Sequence, residues 1–366
     1  MKKILVITPF FYPHIGGSER YMEELYLFLR KKHPEIAVDV LCYNTNGVSS
    51  RENYQGLTIY RIPCWNILKD QFSLPNPLAL LEFLFNHRHA YDLIHVSTRF
   101  FDSSWWAPFY AKLIGTRVIL TDHCAYYPTA GNIVIDELVK VFENTLVRFS
   151  LHFYDAVFAQ TRATQRFLKQ TFAINSQVAY PGLGSKQARP RAEFKQLTVV
   201  YLGRMIKSKG VEFLFDIAKE TRGVNFIFAG PGALVQPLKN RVQEEKLQNI
   251  KILGAVLKTE AAKLLENTDI FAYPTWHSEG LPMALVEAGE KGVAVVATDT
   301  GAINELISKQ TGMLVEPKNN AEFKKALQKL IEDKNLRLKL GKNLQKFTLK
   351  TFSWESAASL VLNQLH

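Results

Sequence analysis

The sequence contains little cysteine and has no long apolar run. Its 366 residues include three cysteines, an odd number without metal-site spacing, which indicates a reducing compartment with neither disulfides nor bound zinc. No stretch approaches the roughly 20 consecutive apolar residues that a membrane-spanning helix needs. The apolar run at 4–8 is too short for a secretion signal and lacks a small-residue cleavage site, so it is predicted to be a buried strand. We therefore expect a cytoplasmic protein.

Nucleic-acid-binding motifs and blocks of five or more basic residues are also absent, although the net charge is +11. The positive excess is uneven, because residues 1–185 carry 18 Lys and Arg against 15 Asp and Glu, whereas residues 186–366 carry 27 against 19. Nucleic acid is therefore not expected as a partner. A phosphorylated ligand, or transient contact with an anionic membrane at its inner face, remains open.

Short β-branched runs alternate with helical patterns along the chain, which predicts an α/β fold of two doubly wound parallel-sheet domains. A length of 366 residues also exceeds what one core usually supports. The segment 182–196, rich in Gly, Ser, Pro and charge, is the predicted linker, so the domains are 1–185 and 186–352. A terminal helix at about 353–366 begins near Ser353, a candidate N-cap, and is expected to pack on the first domain. The predicted strands are 4–8, 38–43, 57–62, 93–96, 118–122, 156–160, 177–180, 198–203, 225–229, 250–253, 270–273, 293–298 and 312–315.

Ligands of open parallel sheets bind beyond the carboxyl ends of the strands, and two features of the first domain lie there. Gly16 and Gly17 end the loop after the first strand, where a helix begins, and can let a negative group approach the backbone. His123 follows the strand at 118–122, where it can donate to a sugar hydroxyl or stabilise charge. A tight turn explains the glycines as well, and local hydrogen bonds can account for the histidine.

Loops of the first domain also carry aromatic and polar side chains that are candidates for ligand binding. Aromatic rings can stack on sugars or meet lipid, although aromatic residues more often pack in a core. The candidates are Tyr12, His14, Arg99, Trp105, Tyr126 and Tyr127. The amphipathic stretch 138–153, with Lys140 and Arg148, can rest on an anionic membrane or pack within its own domain.

Two cations follow the first strand of the second domain. Arg204 comes directly after Gly203, and Lys209 lies five residues further along the chain. A planar fork of donors beside a point charge suits a diphosphate, although a solvated basic loop is an alternative. Gly230-Pro231-Gly232 ends the next strand, where a turn without side chains would leave room for a ligand.

Two carboxylates flank a turn and helix start after the strand at 270–273. Glu279 lies in the turn and Glu287 about two turns into the helix, where a carboxylate among apolar residues needs a partner such as a ribose diol. Free backbone amides at the helix start can meet a phosphate. These amides lie around 280–283, and the residues predicted to bind the ligand there are Gly280, Leu281, Pro282 and Met283.

Together these residues resemble the retaining glycosyltransferases of family 4. The resemblance covers almost the whole chain and implies the GT-B fold, in which two Rossmann-like domains face each other across a cleft. It implies that the glycine pair lies by the donor phosphates, that His123 touches the donor sugar, and that Arg204 and Lys209 bind the diphosphate. Glu279 would hold sugar hydroxyls and Glu287 the ribose. The candidate residues in the loops of the first domain would bind the acceptor. The resemblance also implies catalysis without a metal ion or other cofactor.

Two departures from the family pattern concern donor preference. Thr300-Gly301-Ala302 stands where the family commonly has paired glycines, and Ala294 stands where proline is usual. Neither removes a charged group. The expected function is transfer of a hexose-type sugar from a UDP- or GDP-linked donor to a glycan or lipid-linked acceptor, with retention, in surface glycan synthesis. A nucleotide-sugar epimerase and a non-catalytic nucleotide-sugar-binding protein are the alternatives.

Overall fold

The computed structural model describes residues 2–14, 16–68, 72–128, 132–183, 196–276 and 280–365. The chain divides into two compact units, the first made of Met1–Gly182 with Ser353–His366 and the second of Leu183–Phe352. The sequence placed the change of domain at 185, in a linker that lies largely outside the described residues.

The first unit is built on an eight-stranded sheet whose central strands are buried on both faces. Its strand order is β10-β9-β8-β7-β1-β2-β4-β3, and every neighbouring pair is parallel except β3 with β4. In the register, Ile4 on β1 pairs with both Val38 and Leu93. The order reverses between β1 and β7, which makes that gap the switch point where such sheets bind ligands. The strands of this unit are β1 Lys3–Ile7, β2 Ala37–Tyr43, β3 Arg51–Tyr54, β4 Leu57–Ile62, β5 Cys64–Leu68, β6 Phe72–Pro75, β7 Leu93–Ser97, β8 Arg117–Asp122, β9 Ala156–Ala159 and β10 Gln177–Val178.

Helices cover both faces of this sheet because their apolar positions recur at three- and four-residue spacing. On the first helix Tyr21, Leu25 and Leu29 are buried against the strands. The fourth helix continues through a π-helical turn, Glu143–Val147, into the fifth. The helices are α1 Gly17–Lys32, α2 Pro77–Asn86, α3 Ser103–Ile114, α4 Ile133–Phe142, α5 Arg148–Leu151 and α6 Arg162–Phe172.

The second unit contains one fully parallel sheet in the order β13-β12-β11-β14-β15-β16. Its order reverses between β11 and β14, where Val199 pairs with Ile270. The strands are β11 Thr198–Leu202, β12 Asn225–Ala229, β13 Ile250–Gly254, β14 Ile270–Tyr273, β15 Ala294–Thr298 and β16 Met313–Val315. The helices are α7 Val211–Glu220, α8 Val235–Glu244, α9 Lys258–Glu266, α10 Met283–Glu290, α11 Asn320–Glu332 and α12 Lys334–Thr351.

The last helix, α13 Trp354–Leu362, belongs to the first unit. Trp354, Ala357 and Val361 are buried there, and the Trp354 ring meets Tyr21 edge-on with ring centroids 5.2 Å apart. A side chain at Gly182 would collide with Trp354, so the end of the first segment and the returning helix are packed together. Ser353 precedes the helix as predicted, but its Oγ donates to Glu355 at 2.7 Å and does not cap a backbone amide.

The predicted fold class, two doubly wound parallel-sheet domains, is confirmed, and each predicted strand is present with small shifts at its ends. The sequence missed β3, β5 and β6. β3 joins the first sheet antiparallel to β4, and β5 pairs with β6 in a separate two-stranded antiparallel ribbon. These strands lack the continuous apolar pattern used for prediction, because they lie at an edge or outside the main sheet.

Candidate functional site

The switch point of the second unit gathers the loops that follow β11, β12 and β14. Gly230 and Gly232 have φ of 132° and 148°, and a side chain on either would collide with the backbone of the loop after β11. That loop is fixed by backbone bonds, since Met205 N donates to Pro231 O at 2.7 Å and Leu234 N donates to Met205 O at 3.0 Å. The glycine turn therefore supports the loop that carries the cations.

We expect Gly230→Ala to destabilise the second unit by at least ~2 kcal/mol, because alanine would be strained at this φ and would collide with the Gly203 carbonyl. Gly17→Ala is the matched control, since a side chain there meets nothing within 4 Å. Calorimetric unfolding measures both. An unchanged transition in Gly230→Ala would contradict the close packing of this turn on the loop after β11.

Lys209 is the buried cation of this site. It ends the 3-10 turn Lys207–Lys209 and is 4% exposed. Gly210 follows with φ of 68°, a left-handed conformation that lets its backbone press against Pro274. Trp276 N donates to Ser208 O at 3.1 Å, so the turn is held against the segment after β14. Burial, with a smaller contribution from the charge of Arg204, lowers the pKa of Lys209 to about 7.

Arg204 is exposed, and its backbone carbonyl accepts a hydrogen bond from the Tyr201 hydroxyl at 2.8 Å. Arg204 and Lys209 both lie in the loop after β11, and the charge of Arg204 contributes to the lowered pKa of Lys209. Burial raises the pKa of Tyr201 and of Tyr273, and Arg204 partly offsets both shifts. The two cations therefore occupy the same strand-end region, with the guanidinium accessible and the ammonium enclosed.

The start of α10 lies beside the same switch point. Gly280, Leu281 and Pro282 lead into the helix, and Met283 is its first residue. First-turn amides of a helix have no partner within the helix, so they can bind an anion. Glu287 is half-buried one turn further on, whereas Glu279 lies outside the described residues. The role predicted for Glu279 therefore stays a prediction.

In the first unit, α1 begins at the predicted glycine pair. Gly16 precedes the helix in extended conformation, and a side chain there would collide with the carboxylate of Glu19. Burial raises the pKa of Glu19, and a backbone hydrogen bond and His14 partly oppose that shift. The glycine at position 16 thus makes room for a buried carboxylate, which the sequence analysis missed although the residue lies three positions away.

His123 lies at the end of β8 and is 7% exposed. Its ring meets Tyr21 edge-on, with centroids 4.9 Å apart, and its Nε2 lies 3.4 Å from the Ser97 hydroxyl. Burial lowers its pKa to about 4, and Asp122 and Gln160 only partly offset this. Within the described residues its Nδ1 has no hydrogen-bond partner. His123 is therefore a neutral imidazole, suited to hydrogen bonding and not to carrying positive charge.

Arg99 does not bind an acceptor as the sequence suggested, because its side chain has no exposed surface. The guanidinium pairs with Asp122 at 2.5 Å and with Glu143 at 3.2 Å. It also donates to the carbonyls of Cys124 at 2.8 Å and Tyr126 at 2.5 Å. Arg99 is thus a positioning residue, and it holds the segment that follows His123.

The aromatic acceptor candidates are divided between packing and exposure. Trp105 packs on Phe142 with ring centroids 4.4 Å apart, and the Tyr127 hydroxyl bonds the Asn144 side chain, so both rings contribute to the domain core. Tyr12 is 37% exposed and stacks on Tyr54 at 4.1 Å. Acceptor binding by these rings, by His14 and by Tyr126 stays a prediction.

Among the residues that the structure describes, every helix is too short or too polar to span a membrane.

Two family models match consecutive parts of the chain. Residues 15–183 match the model described as Glycosyltransferase Family 4, and residues 185–347 match Glycosyl transferases group 1.

Relatives of known name align with nearly the whole chain. An uncharacterized glycosyltransferase of Methanocaldococcus jannaschii is 25% identical, over 98% of this chain and 97% of its own length. A component of the human phosphatidylinositol N-acetylglucosaminyltransferase is 24% identical, over 97% of this chain and 74% of its own length.

Solved structures share the fold at low sequence identity. Sucrose-phosphate synthase from Thermosynechococcus elongatus superposes with a TM-score of 0.77 at 20% identity, covering 100% of this chain and 98% of the other. Anabaena HepE, in complex with UDP and glucose, gives a TM-score of 0.75 at 17% identity and covers 100% and 99%. The matches to both family models confirm the predicted family, and the superposed structures confirm its GT-B fold: the chain belongs to the glycosyltransferases of group 1 and family 4.

Proposed function

We propose that the chain transfers a hexose-type sugar from a UDP- or GDP-linked donor to an acceptor hydroxyl, with retention of configuration. The observation that carries this proposal is the pair Arg204 and Lys209 at the switch point of the second unit, beside the start of α10. A region with two cations and free helix amides is suited to a diphosphate. The second unit then binds the donor, and the first unit supplies the acceptor side.

In the proposed reaction the acceptor oxygen attacks the anomeric carbon as the bond from that carbon to the diphosphate oxygen breaks. The bond electrons leave with the diphosphate, and the proton of the acceptor hydroxyl passes to a diphosphate oxygen. Arg204, Lys209 and the amides near Met283 stabilise the negative charge that develops there. The neutral His123 donates a hydrogen bond to the donor sugar. Glu279 and Glu287 hold sugar and ribose hydroxyls, and no metal ion is required.

A lipid-linked or surface glycan is the proposed acceptor class. Its support is indirect: the human relative is named as part of a phosphatidylinositol N-acetylglucosaminyltransferase, and a structural neighbour is a lipopolysaccharide outer core galactosyltransferase. The latter superposes with a TM-score of 0.70 at 16% identity. A cytoplasmic location is part of the same proposal.

Donor binding is tested by thermal shift with a panel of UDP-, GDP- and ADP-sugars. We expect one nucleotide class to raise the melting temperature of the wild type, and Arg204→Ala and Glu287→Ala to abolish most of that rise. Glu212→Ala, which removes an acidic side chain from the first turn of α7, is the control and should keep the shift. If no nucleotide sugar stabilises the protein, the donor proposal is wrong.

The fate of the bound sugar separates the alternatives. Release of nucleoside diphosphate that depends on an acceptor supports a transferase. An epimerase would instead change the configuration of the sugar without cleaving its bond to the nucleotide. A non-catalytic binding protein would leave the nucleotide sugar unchanged.

A further inference from the structure

Thr98 is a buried residue in a backbone conformation that branched side chains avoid. It follows β7 directly, has φ of 67° and is 1% exposed. The other non-glycine residues with positive φ in the described ranges are exposed and lack a branch at Cβ. Backbone strain of this kind costs free energy, and it is often found at functional sites, where the surrounding structure enforces it.

The turn after β7 does not itself require a threonine. Thr98 N donates to Thr121 O at 2.8 Å, so the turn continues the pairing of β7 with β8. Glycine would adopt the same φ without strain. The side chain of Thr98 therefore needs a reason of its own, and the contacts of its hydroxyl supply one.

Two hydroxyl groups lead from Thr98 to His123. Thr98 Oγ1 lies 3.4 Å from Ser97 Oγ, and Ser97 Oγ lies 3.4 Å from His123 Nε2. Ser97 has no exposed surface, so water does not compete for its hydroxyl. Both contacts are long for hydrogen bonds, as contacts of catalytic groups often are until a substrate tightens them.

The protons of this chain can be arranged in two ways, because a neutral His123 carries one ring proton. In the first arrangement Thr98 donates to Ser97 and Ser97 donates to Nε2, so the ring proton is on Nδ1. In the second, Nε2–H donates to Ser97 and Ser97 donates to Thr98.

The two arrangements differ in how many buried groups they leave unpaired. Among the described residues, Thr98 Oγ1 has Ser97 as its partner and His123 Nδ1 has none. The first arrangement leaves only the Nδ1 proton unpaired, whereas the second leaves both the Thr98 proton and the Nδ1 lone pair. Unpaired buried polar groups cost free energy, so the first arrangement is favoured.

The other neighbours of the ring leave Nδ1 available. The Tyr21 ring meets His123 edge-on, but the Tyr21 hydroxyl donates to Ala179 O at 2.9 Å. Both ring nitrogens of His95 are bonded to hydroxyl groups of other residues. Gln160 favours the protonated ring of His123, yet no described side chain has hydrogen-bond geometry at Nδ1.

We propose that Ser97 and Thr98 are positioning residues that fix His123 in the tautomer protonated on Nδ1. The Nδ1–H group is then a donor without a partner among the described residues, and an oxygen of the bound substrate can pair with it. The inference rests on the proposed function where it identifies that oxygen as a hydroxyl of the donor sugar. The tautomer itself does not depend on that function.

The tautomer is measured by two-bond ¹H–¹⁵N correlation spectra of the full chain with ¹⁵N-labelled histidine, because protonated and bare ring nitrogens have well separated shifts. His123→Gln assigns the signals by removing them. We expect the wild type to carry the proton on Nδ1 at neutral pH. Ser97→Ala and Thr98→Val should convert it to a mixture with the Nε2–H form, whereas Thr98→Ser keeps the hydroxyl and should keep the wild-type tautomer.

Activity separates positioning from folding. Ser97→Ala and Thr98→Val are expected to lower kcat/KM by roughly threefold to tenfold, the usual value of one hydrogen bond. Thr98→Ser should restore it. Ser150→Ala is the matched control, because Ser150 is another fully buried serine of the first unit and its hydroxyl donates to Val147 O at 2.9 Å. It should change neither the tautomer of His123 nor kcat/KM.

The outcomes distinguish this proposal from the proposed function. A wild-type proton on Nε2 overturns the proposal, and that spectrum is decisive even if a variant fails to fold. An Nδ1–H form that persists in Ser97→Ala and Thr98→Val assigns the tautomer to another neighbour, such as Gln160, and also overturns it. A converted tautomer with unchanged kcat/KM overturns the positioning role. Nδ1–H in a wild type that no nucleotide sugar stabilises would reject the proposed function and leave the tautomer valid.

Discussion

Replacing Lys209 with methionine is expected to lower kcat/KM by about a hundred- to a thousandfold, the usual effect of removing one group that stabilises developing negative charge. Methionine keeps much of the side-chain length and fills the buried space, so the loss reports on the ammonium. Lys207→Met is the matched control, because Lys207 lies in the same 3-10 turn and is exposed. Equal activity of the two variants would show that Lys209 has no part in binding or releasing the diphosphate.

The same lysine predicts a pH dependence of nucleotide binding. Burial lowers the pKa of Lys209 to about 7, and a bound diphosphate would raise it again by favouring the ammonium. Binding above pH 7 must then take up a proton, so the affinity is expected to fall by up to about tenfold per pH unit there and to level off below pH 7. Isothermal titration in buffers of different ionisation enthalpy measures the proton uptake. In the Lys209→Met variant the nucleotide affinity should lack this decrease above pH 7, and binding should not take up this proton.

Replacing Arg99 with methionine is expected to destabilise the first unit by about 3–5 kcal/mol, because it leaves two buried carboxylates without their cation. Four of the five tryptophans, Trp65, Trp105, Trp106 and Trp354, lie in the first unit, so tryptophan fluorescence during urea unfolding reports mainly on it. Arg88→Met, at an exposed position two residues after the end of α2, is the control and should change the free energy of unfolding little.

A second substitution and a change of pH separate charge from packing. Burial raises the pKa of Glu143 to about 7 even with Arg99 beside it, so its protonated form is accessible. Without Arg99 that pKa rises further, and the stability of the variant falls as pH increases through this range. The gap to the wild type should therefore be wider at alkaline pH, and Glu143→Gln should narrow it in Arg99→Met. If neither the pH nor Glu143→Gln alters the difference in free energy of unfolding between the wild type and Arg99→Met, the loss of stability comes from lost packing alone.

The sequence predicted the parallel sheets well because their central strands are buried on both faces and appear as continuous apolar runs. The strand at 198–202, for example, is buried at every position. The ribbon of β5 and β6 has no such pattern, since one of its faces is open: Trp65 and Ile67 are 55% and 58% exposed. Pairing outside the main sheet is set by tertiary context and not by the local run of residue types.

The candidate site was predicted unevenly. Arg204 and Lys209 follow a strand directly, so the rule that ligands lie at the carboxyl ends of strands was sufficient to find them. Arg99 follows a strand in the same way, yet its side chain turns inward, because Asp122 and Glu143 lie beneath the loop. Glu143 is 44 positions away along the chain, and no spacing rule connects such a pair. Whether a side chain after a strand points inward or toward a ligand depends on charged neighbours that only the folded chain brings next to it.

The location of α13 has a consequence for the order in which the chain can fold during synthesis. The second unit is one continuous stretch of sequence, so it can complete its core as soon as it has left the ribosome. The first unit cannot complete its core so early, because Tyr21 and its neighbours on α1 pack against α13. The core residues of α13, Trp354, Ala357 and Val361, are translated after the whole second unit. The half of the protein that is translated first is therefore the half that finishes last, and until then an apolar surface on α1 stays open to chaperones.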